Sequence, residues 1–205
     1  MKNIAVIGCG GINSWAIKHL SEIIQIFDKE EIIFVKIFDE DIVEEKNLLR
    51  QNQNFKIEDL MLSKAEVLAK RHSFDFDPCF ITEENIEKLD TFNCVILGVD
   101  NHKTRKMLYE YCLKKGKYML DMRAQGTQIS FYLLDHNKDM EYYNKKFFSN
   151  ENVMNRKGSC QLTTDVENDH IENGNRIIAY YGMYGIFLKY LRGEEPSTNE
   201  WKMVY

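Results

Sequence analysis

The stretch from Phe38 to Gln51, FDEDIVEEKNLLRQ, brings carboxylates, an amide and a guanidinium into one short segment. If it turns helically, Asn47 and Arg50 are three apart and share a face, beside the acids Asp39 and Asp41. A carboxylate takes ribose hydroxyls, and the planar fork of an arginine takes phosphate oxygens. The set suits a nucleotide, with a charged, solvated loop as the plainer alternative. Upstream, Gly8-Cys9-Gly10-Gly11-Ile12-Asn13 follows an apolar run. Glycines there let backbone approach phosphate, and the free amides of a helix start offer an anion site. A dinucleotide fingerprint would carry Gly where Asn13 stands, so the loop by itself is a weak signal.

Two further points carry chemistry. Lys64 begins a predicted helix, an unfavourable place for a cation. A nearby polyphosphate would remove the conflict; the alternative is an ordinary surface lysine. Gly98-Val99-Asp100-Asn101 follows a short apolar run, and ligands in open α/β sheets sit beyond the carboxyl ends of strands. Asp100 there could hold Mg²⁺ between phosphates, or Asp100 or Asn101 could cap the next helix.

The elements that must position these residues can be read from periodicity. Asn3 to Val6 leads through the glycines into an amphipathic stretch, Ile12 to Phe27: strand, turn, helix. Glu31 to Phe38 is a nearly continuous apolar run, as in a strand covered on both faces. Ser63 to His72 predicts a helix with Ser63 as N-cap. Phe76 to Ile81 is a weak strand, Cys94 to Leu97 a buried one, Lys103 to Lys115 a helix and Tyr118 to Asp121 a strand. Thr127 to Leu134 follows without an intervening helix, so it is expected antiparallel at a sheet edge. Residues 135–173 are polar and irregular, and Arg176 to Leu191 returns as a helix. The expectation is a Rossmann-like, doubly wound α/β fold: a mostly parallel sheet, an antiparallel edge and a C-terminal helix. A single domain of 1–205 is expected, with a nucleotide-binding core over 1–134 and a crossover segment and helix over 135–205.

Composition narrows the classes. With 205 residues the chain can bury a full core, and 44% hydrophobic content fits a globular protein. A net charge of -5 argues against broad nucleic-acid binding. No stretch is apolar enough to cross a membrane, and AVIG breaks at once into glycines, unlike a signal peptide. Cytoplasm is therefore expected. Cysteines at 9, 79, 94, 112 and 160 form no CxxC pair, so free thiols and no structural zinc are expected.

In order, the chain offers GCGGIN, DEDIVEEKNLLRQ, a lone Lys64 before a helix, and GVDNHKTR. This resembles the ThiF/MoeB family, the adenylating domain of ubiquitin-activating (E1-like) enzymes. The family pattern D-x-D-x-V-x-x-x-N-L-x-R-Q is matched at Asp39, Asp41, Val43, Asn47, Leu48, Arg50 and Gln51. The resemblance covers residues 1–134 well and the rest loosely. It implies ATP lined by Gly8, Gly10 and Gly11, ribose held by Asp39 with Asp41 nearby, and phosphates addressed by Asn47, Arg50 and Lys64. Gln51 and Asn101 would support the nucleotide, and Asp100 would hold Mg²⁺.

The implied reaction is adenylation of the C-terminal carboxylate of a ubiquitin-like or sulfur-carrier protein ending in Gly-Gly. Many relatives then pass the acyl group to a cysteine. Cys160 is the candidate, with Arg156 and Lys157 near enough in sequence to lower its pKa; a free loop thiol is the alternative. Cys9, Cys94 and Cys112 read as packing residues. Relatives are homodimers or heterodimers, and often carry an N-terminal arginine that reaches the partner's nucleotide. The chain opens on its first strand, so the site is expected either to lack that charge or to take it from elsewhere, with Arg123 as a candidate. Three other readings stand beside this one. They are a non-catalytic half of a heterodimeric activating enzyme, adenylation of a peptide or modified-tRNA carboxylate, and, last, an NAD-dependent dehydrogenase.

Overall fold

The computed structural model describes residues 2–26, 33–49, 53–125, 128–134, 141, 170–194 and 200–204. Strand β1 (Lys2–Ile7) enters the glycine loop and helix α1 (Asn13–Ile26). Then follow β2 (Ile33–Phe38), α2 (Glu45–Leu49), α3 (Lys64–His72) and the short β3 (Asp75–Asp77). Next come β4 (Cys94–Leu97), α4 (His102–Lys114), β5 (Tyr118–Gln125) and β6 (Gln128–Leu133). The last helical run has three parts: α5 (His170–Tyr180), a π-helical segment (Tyr181–Phe187) and α6 (Leu188–Arg192). Strand β7 (Glu200–Val204) follows.

The sheet has the order β3-β2-β1-β4-β5-β6-β7. Its first five strands are parallel; β6 pairs antiparallel to β5, and β7 pairs antiparallel to β6. This is the expected doubly wound, mostly parallel sheet. β6 runs antiparallel as expected, but it is not outermost: β7, absent from the sequence reading, pairs along its outer side.

Alternation along the central strands splits the interior into two cores. Ile4 and Val6 of β1, Ile37 of β2 and Ile96 of β4 face the core shared with Ile17 and Leu20 of α1 and Leu68 of α3. Ala5, Ile7, Val95 and Leu97 face the other, with Leu108, Tyr109 and Cys112 of α4. Each fully buried aliphatic side chain contributes roughly 1.5–3 kcal/mol, so the parallel strands are anchored from both sides. Among the described residues no helix is long and apolar enough to cross a membrane.

Caps place the loops. Ser63 adopts extended backbone and its Oγ accepts from Glu66 N at 3.3 Å, starting α3 where expected. Asn101 starts α4 likewise, its Oδ1 accepting from Lys103 N at 2.8 Å and Thr104 N at 3.3 Å.

Candidate functional site

Strand order reverses between β1 and β4, and a cavity of about 750 Å³ opens there, beyond the strands' carboxyl ends. The size suits a small-molecule ligand, for which pockets run about 300–1,000 Å³. Three loops build it: the glycine loop after β1, Asp39–Asp41 after β2, and Gly98–His102 after β4.

The glycines have distinct jobs. Gly8 has φ +84°, and a Cβ there would meet Val99 Cγ1 at 3.0 Å and Gly98 O at 3.1 Å. It lets the β1 and β4 loops touch. At Gly10 a Cβ would meet nothing closer than Gly98 O at 3.8 Å, so its bareness opens space toward the cavity. Asn13, which replaces the last glycine of the fingerprint, is fully buried and works structurally. Its Nδ2 donates to Ile7 O at 3.1 Å and Gly8 O at 2.9 Å, tying α1 to the end of β1.

Asp39 lines the cavity while anchoring the loops. Its Oδ2 accepts from Cys9 N at 2.5 Å and its Oδ1 from Asp41 N at 2.8 Å. Burial pushes its carboxyl above the ordinary carboxylate range, against the pull of those two amides and of Lys64. Asp41 pairs with Lys64, Nζ to Oδ2 2.9 Å. The unfavourable helix-start cation inferred from sequence therefore has a protein carboxylate beside it, and still borders the cavity.

Asn47 is buried and accepts from Glu44 N at 2.8 Å, fixing the turn into α2 as well as lining the cavity. Asp100 is exposed at the cavity edge beside Asn101, whose carboxamide oxygen is committed to capping α4. Arg50, Gln51 and Cys160 lie outside the described residues. Cys9, Cys94 and Cys112 are buried, and burial pushes their thiols up, as packing residues should behave.

The sequence reading missed part of the wall. Asp121 on β5, fully buried, accepts from Arg105 of α4, from Tyr109 Oη at 3.3 Å and from Arg123 Nε at 2.7 Å. Arg105 also donates to Val99 O, bracing the β4 loop. One carboxylate thus orients two guanidiniums, and Arg123 reaches the cavity with its guanidinium 4.9 Å from the Tyr132 ring centroid. His102 begins α4, one residue before the helix expected from sequence, and it also lines the cavity. Burial, then Arg123 and Arg105, lower its pKa. Lys46, Gln53 and Asn175 also line the cavity and were not singled out from sequence, whereas Arg123 was a candidate cation there; nothing local in sequence marked the direction of these side chains.

The donor set fits a magnesium nucleotide. It combines a glycine-lined floor, a ribose-suited carboxylate at Asp39, cations at Lys46, Lys64 and Arg123, and one exposed carboxylate at Asp100. Mg²⁺ uses one or two carboxylates and takes its other ligands from phosphate and water.

Comparison with known proteins agrees with this architecture. The profile described as the ThiF family matches residues 1–179. The NEDD8-activating enzyme E1 catalytic subunit of Arabidopsis thaliana is 37% identical over 112 residues, 51% of this chain and 23% of that protein. The match therefore spans about a quarter of that relative's length. Among solved structures, PaaA superposes with a TM-score of 0.71 at 14% identity, covering 100% of this chain and 69% of PaaA. E. coli MccB with AMPCPP and MccA gives 0.72 at 16% identity, covering 100% of this chain and 60% of MccB. E. coli MccB with ATP gives 0.68 at 16% identity, again covering 100% of this chain and 60% of MccB. These likenesses show a shared fold, and the profile match shows the family: the chain belongs to the ThiF family.

Proposed function

We propose that the protein binds ATP and Mg²⁺ in the cavity between β1 and β4 and adenylates a carboxylate. The substrate class is the C-terminus of a ubiquitin-like or sulfur-carrier protein ending in Gly-Gly. One observation carries the reading: the glycine loop, Asp39, Lys64 and Asp100 come from separate elements yet line one cavity at the strand-order reversal. The family membership supports the same chemistry, as does the E1 catalytic subunit among its relatives.

In this reading Asp39 holds the ribose, Gly8, Gly10 and Gly11 line the phosphates, and Asn47 with Gln51 and Asn101 steadies the nucleotide. Asp100 would hold Mg²⁺, and the bound ion would supply charge neutralisation at the phosphate oxygens of ATP, whose α-phosphoryl group is the one attacked. A carboxylate is already ionised at neutral pH, so no general base is required. The protein's work is alignment and charge neutralisation. Arg50 and Lys64 supply positive charge. Arg123, held by Asp121, stands as the chain's own further cation. The carboxylate oxygen bonds to phosphorus as the bond to pyrophosphate breaks. Cys160 would then receive the acyl group as a thioester, releasing AMP. Protomers would pair as homodimers or heterodimers.

The test is ATP–pyrophosphate exchange with Mg²⁺ and Gly-Gly-ended ubiquitin-like proteins, wild type beside Asp100→Ala. Exchange that needs both the partner and Asp100 supports the reading. ATP binding with no exchange across carboxylates of several classes points to a non-catalytic subunit instead.

A further inference from the structure

Helix α5 turns Asn175, Ile178 and Ala179 inward, followed by Gly182 and Met183 of the π-helical segment. That is the i, i+3, i+4, i+7, i+8 spacing of a core-facing stripe, and one member is a polar amide. Asn175 is 3% exposed, and its Nδ2 has no hydrogen-bond partner among the described residues. A buried donor left unmatched costs stability, so such a group calls for an explanation. Its surroundings supply one, because Asn175 lines the nucleotide-sized cavity.

The amide sits directly on the glycine loop: a Cβ built on Gly11 would lie 2.2 Å from Asn175 Nδ2. Gly11 is therefore bare because a side chain from the distant C-terminal helix covers it, whereas Gly10 is bare toward the cavity. The neighbouring Arg176 holds this placement, its guanidinium 4.3 Å from the Trp15 ring centroid on α1. The loop also ends at a helix start. Ser14 N donates to Gly10 O at 3.0 Å, and the amides before it have no intrahelical acceptor. Their partial positive charge favours an anion. A donor-only group and a helix N-terminus converge on one place over Gly10 and Gly11.

We propose that Asn175 Nδ2 donates a hydrogen bond to a phosphoryl oxygen of the nucleotide held over the glycine loop. The inference rests on the nucleotide reading above and adds a binding residue from the C-terminal helix to it. It makes closure of α5 on α1 part of assembling the phosphate site.

The test is titration of the full chain with Mg²⁺-ATP and, separately, with adenosine, beside thermal unfolding of each variant. Asn175→Asp keeps the shape but turns the donor into a carboxylate oxygen; Asn175→Ser removes the reach without adding charge. A hydrogen bond to a charged group is worth roughly tenfold or more in affinity. Asn175→Ser is expected to weaken ATP binding by about that factor and Asn175→Asp by more, with adenosine binding unchanged in both. ATP affinity within about twofold of wild type in a folded variant overturns the proposal, and Asn175→Ser decides if the aspartate variant does not fold. Equal losses for ATP and adenosine also overturn it, because they mark packing against Gly11 alone. A wild-type chain that binds no ATP instead removes the nucleotide reading itself, and this proposal with it.

Discussion

Lys64 Nζ lies 2.9 Å from Asp41 Oδ2, with the lysine side chain 8% exposed and the aspartate 64%. A buried ammonium at the first turn of α3 is set against the helix dipole, so the half of the pair that faces solvent stabilises the half that does not. Asp41→Ala is expected to destabilise the chain by about 1–2 kcal/mol, above a surface pair and below a fully buried one. Phosphate oxygens near Lys64 would take over the role of counter-ion. Saturating Mg²⁺-ATP should therefore narrow the gap in melting temperature between wild type and variant.

The two glycines that bracket Cys9 should separate stability from binding. Gly8→Ala forces a side chain into φ +84° and against Val99 and Gly98, so it should lose about 1–3 kcal/mol of stability. Gly10→Ala meets only Gly98 O at 3.8 Å. It should melt close to wild type while binding ATP more weakly, as thermal unfolding and a nucleotide titration would show.

Asp121, itself without solvent exposure, holds Arg105 and Arg123. Asp121→Ala strands the guanidinium of Arg105, itself 5% exposed, and should cost about 3–5 kcal/mol. Denaturant unfolding of Asp121→Ala beside Arg123→Ala checks this. The arginine variant should be the milder in stability, since Arg105 keeps its carboxylate.

These residues also mark how far the sequence could be read. Asp39, Asn47, Lys64 and Asp100 stood out because acids, an amide and a cation fall at strand ends and helix starts, where local pattern fixes position. The Asp121 node did not, because its members are sixteen residues apart on a helix and a strand, and only the register of β5 against β4 brings them together. Asn175 was legible in principle as the polar member of an apolar stripe with Ile178 and Ala179. The sequence pattern places the helix from Arg176, one residue past Asn175, whereas the structure begins it at His170. Strand β7 alternates polar and apolar residues from Glu200 to Met203, yet no strand–helix repeat leads into it, so only its pairing with β6 shows its place in the sheet.

His102 should make stability depend on pH. Burial and the neighbouring Arg123 and Arg105 lower its pKa, so the folded chain binds fewer protons than the unfolded one below the ordinary imidazole value of about 6.5. Stability should rise with pH up to that value and then level off, with His72, also lowered, contributing in the same direction. His102→Gln should flatten part of the rise, measured as melting temperature between about pH 5 and 7.5.

The most direct test of the account is a calorimetric titration of the chain with ATP, with and without Mg²⁺, for wild type, Lys64→Ala and Asp100→Ala. Binding is expected to depend on Mg²⁺ in the wild type, to be about tenfold weaker or worse in Lys64→Ala, and to lose its Mg²⁺ dependence in Asp100→Ala. A wild-type chain that binds no ATP, or binding indifferent to both substitutions, would contradict it.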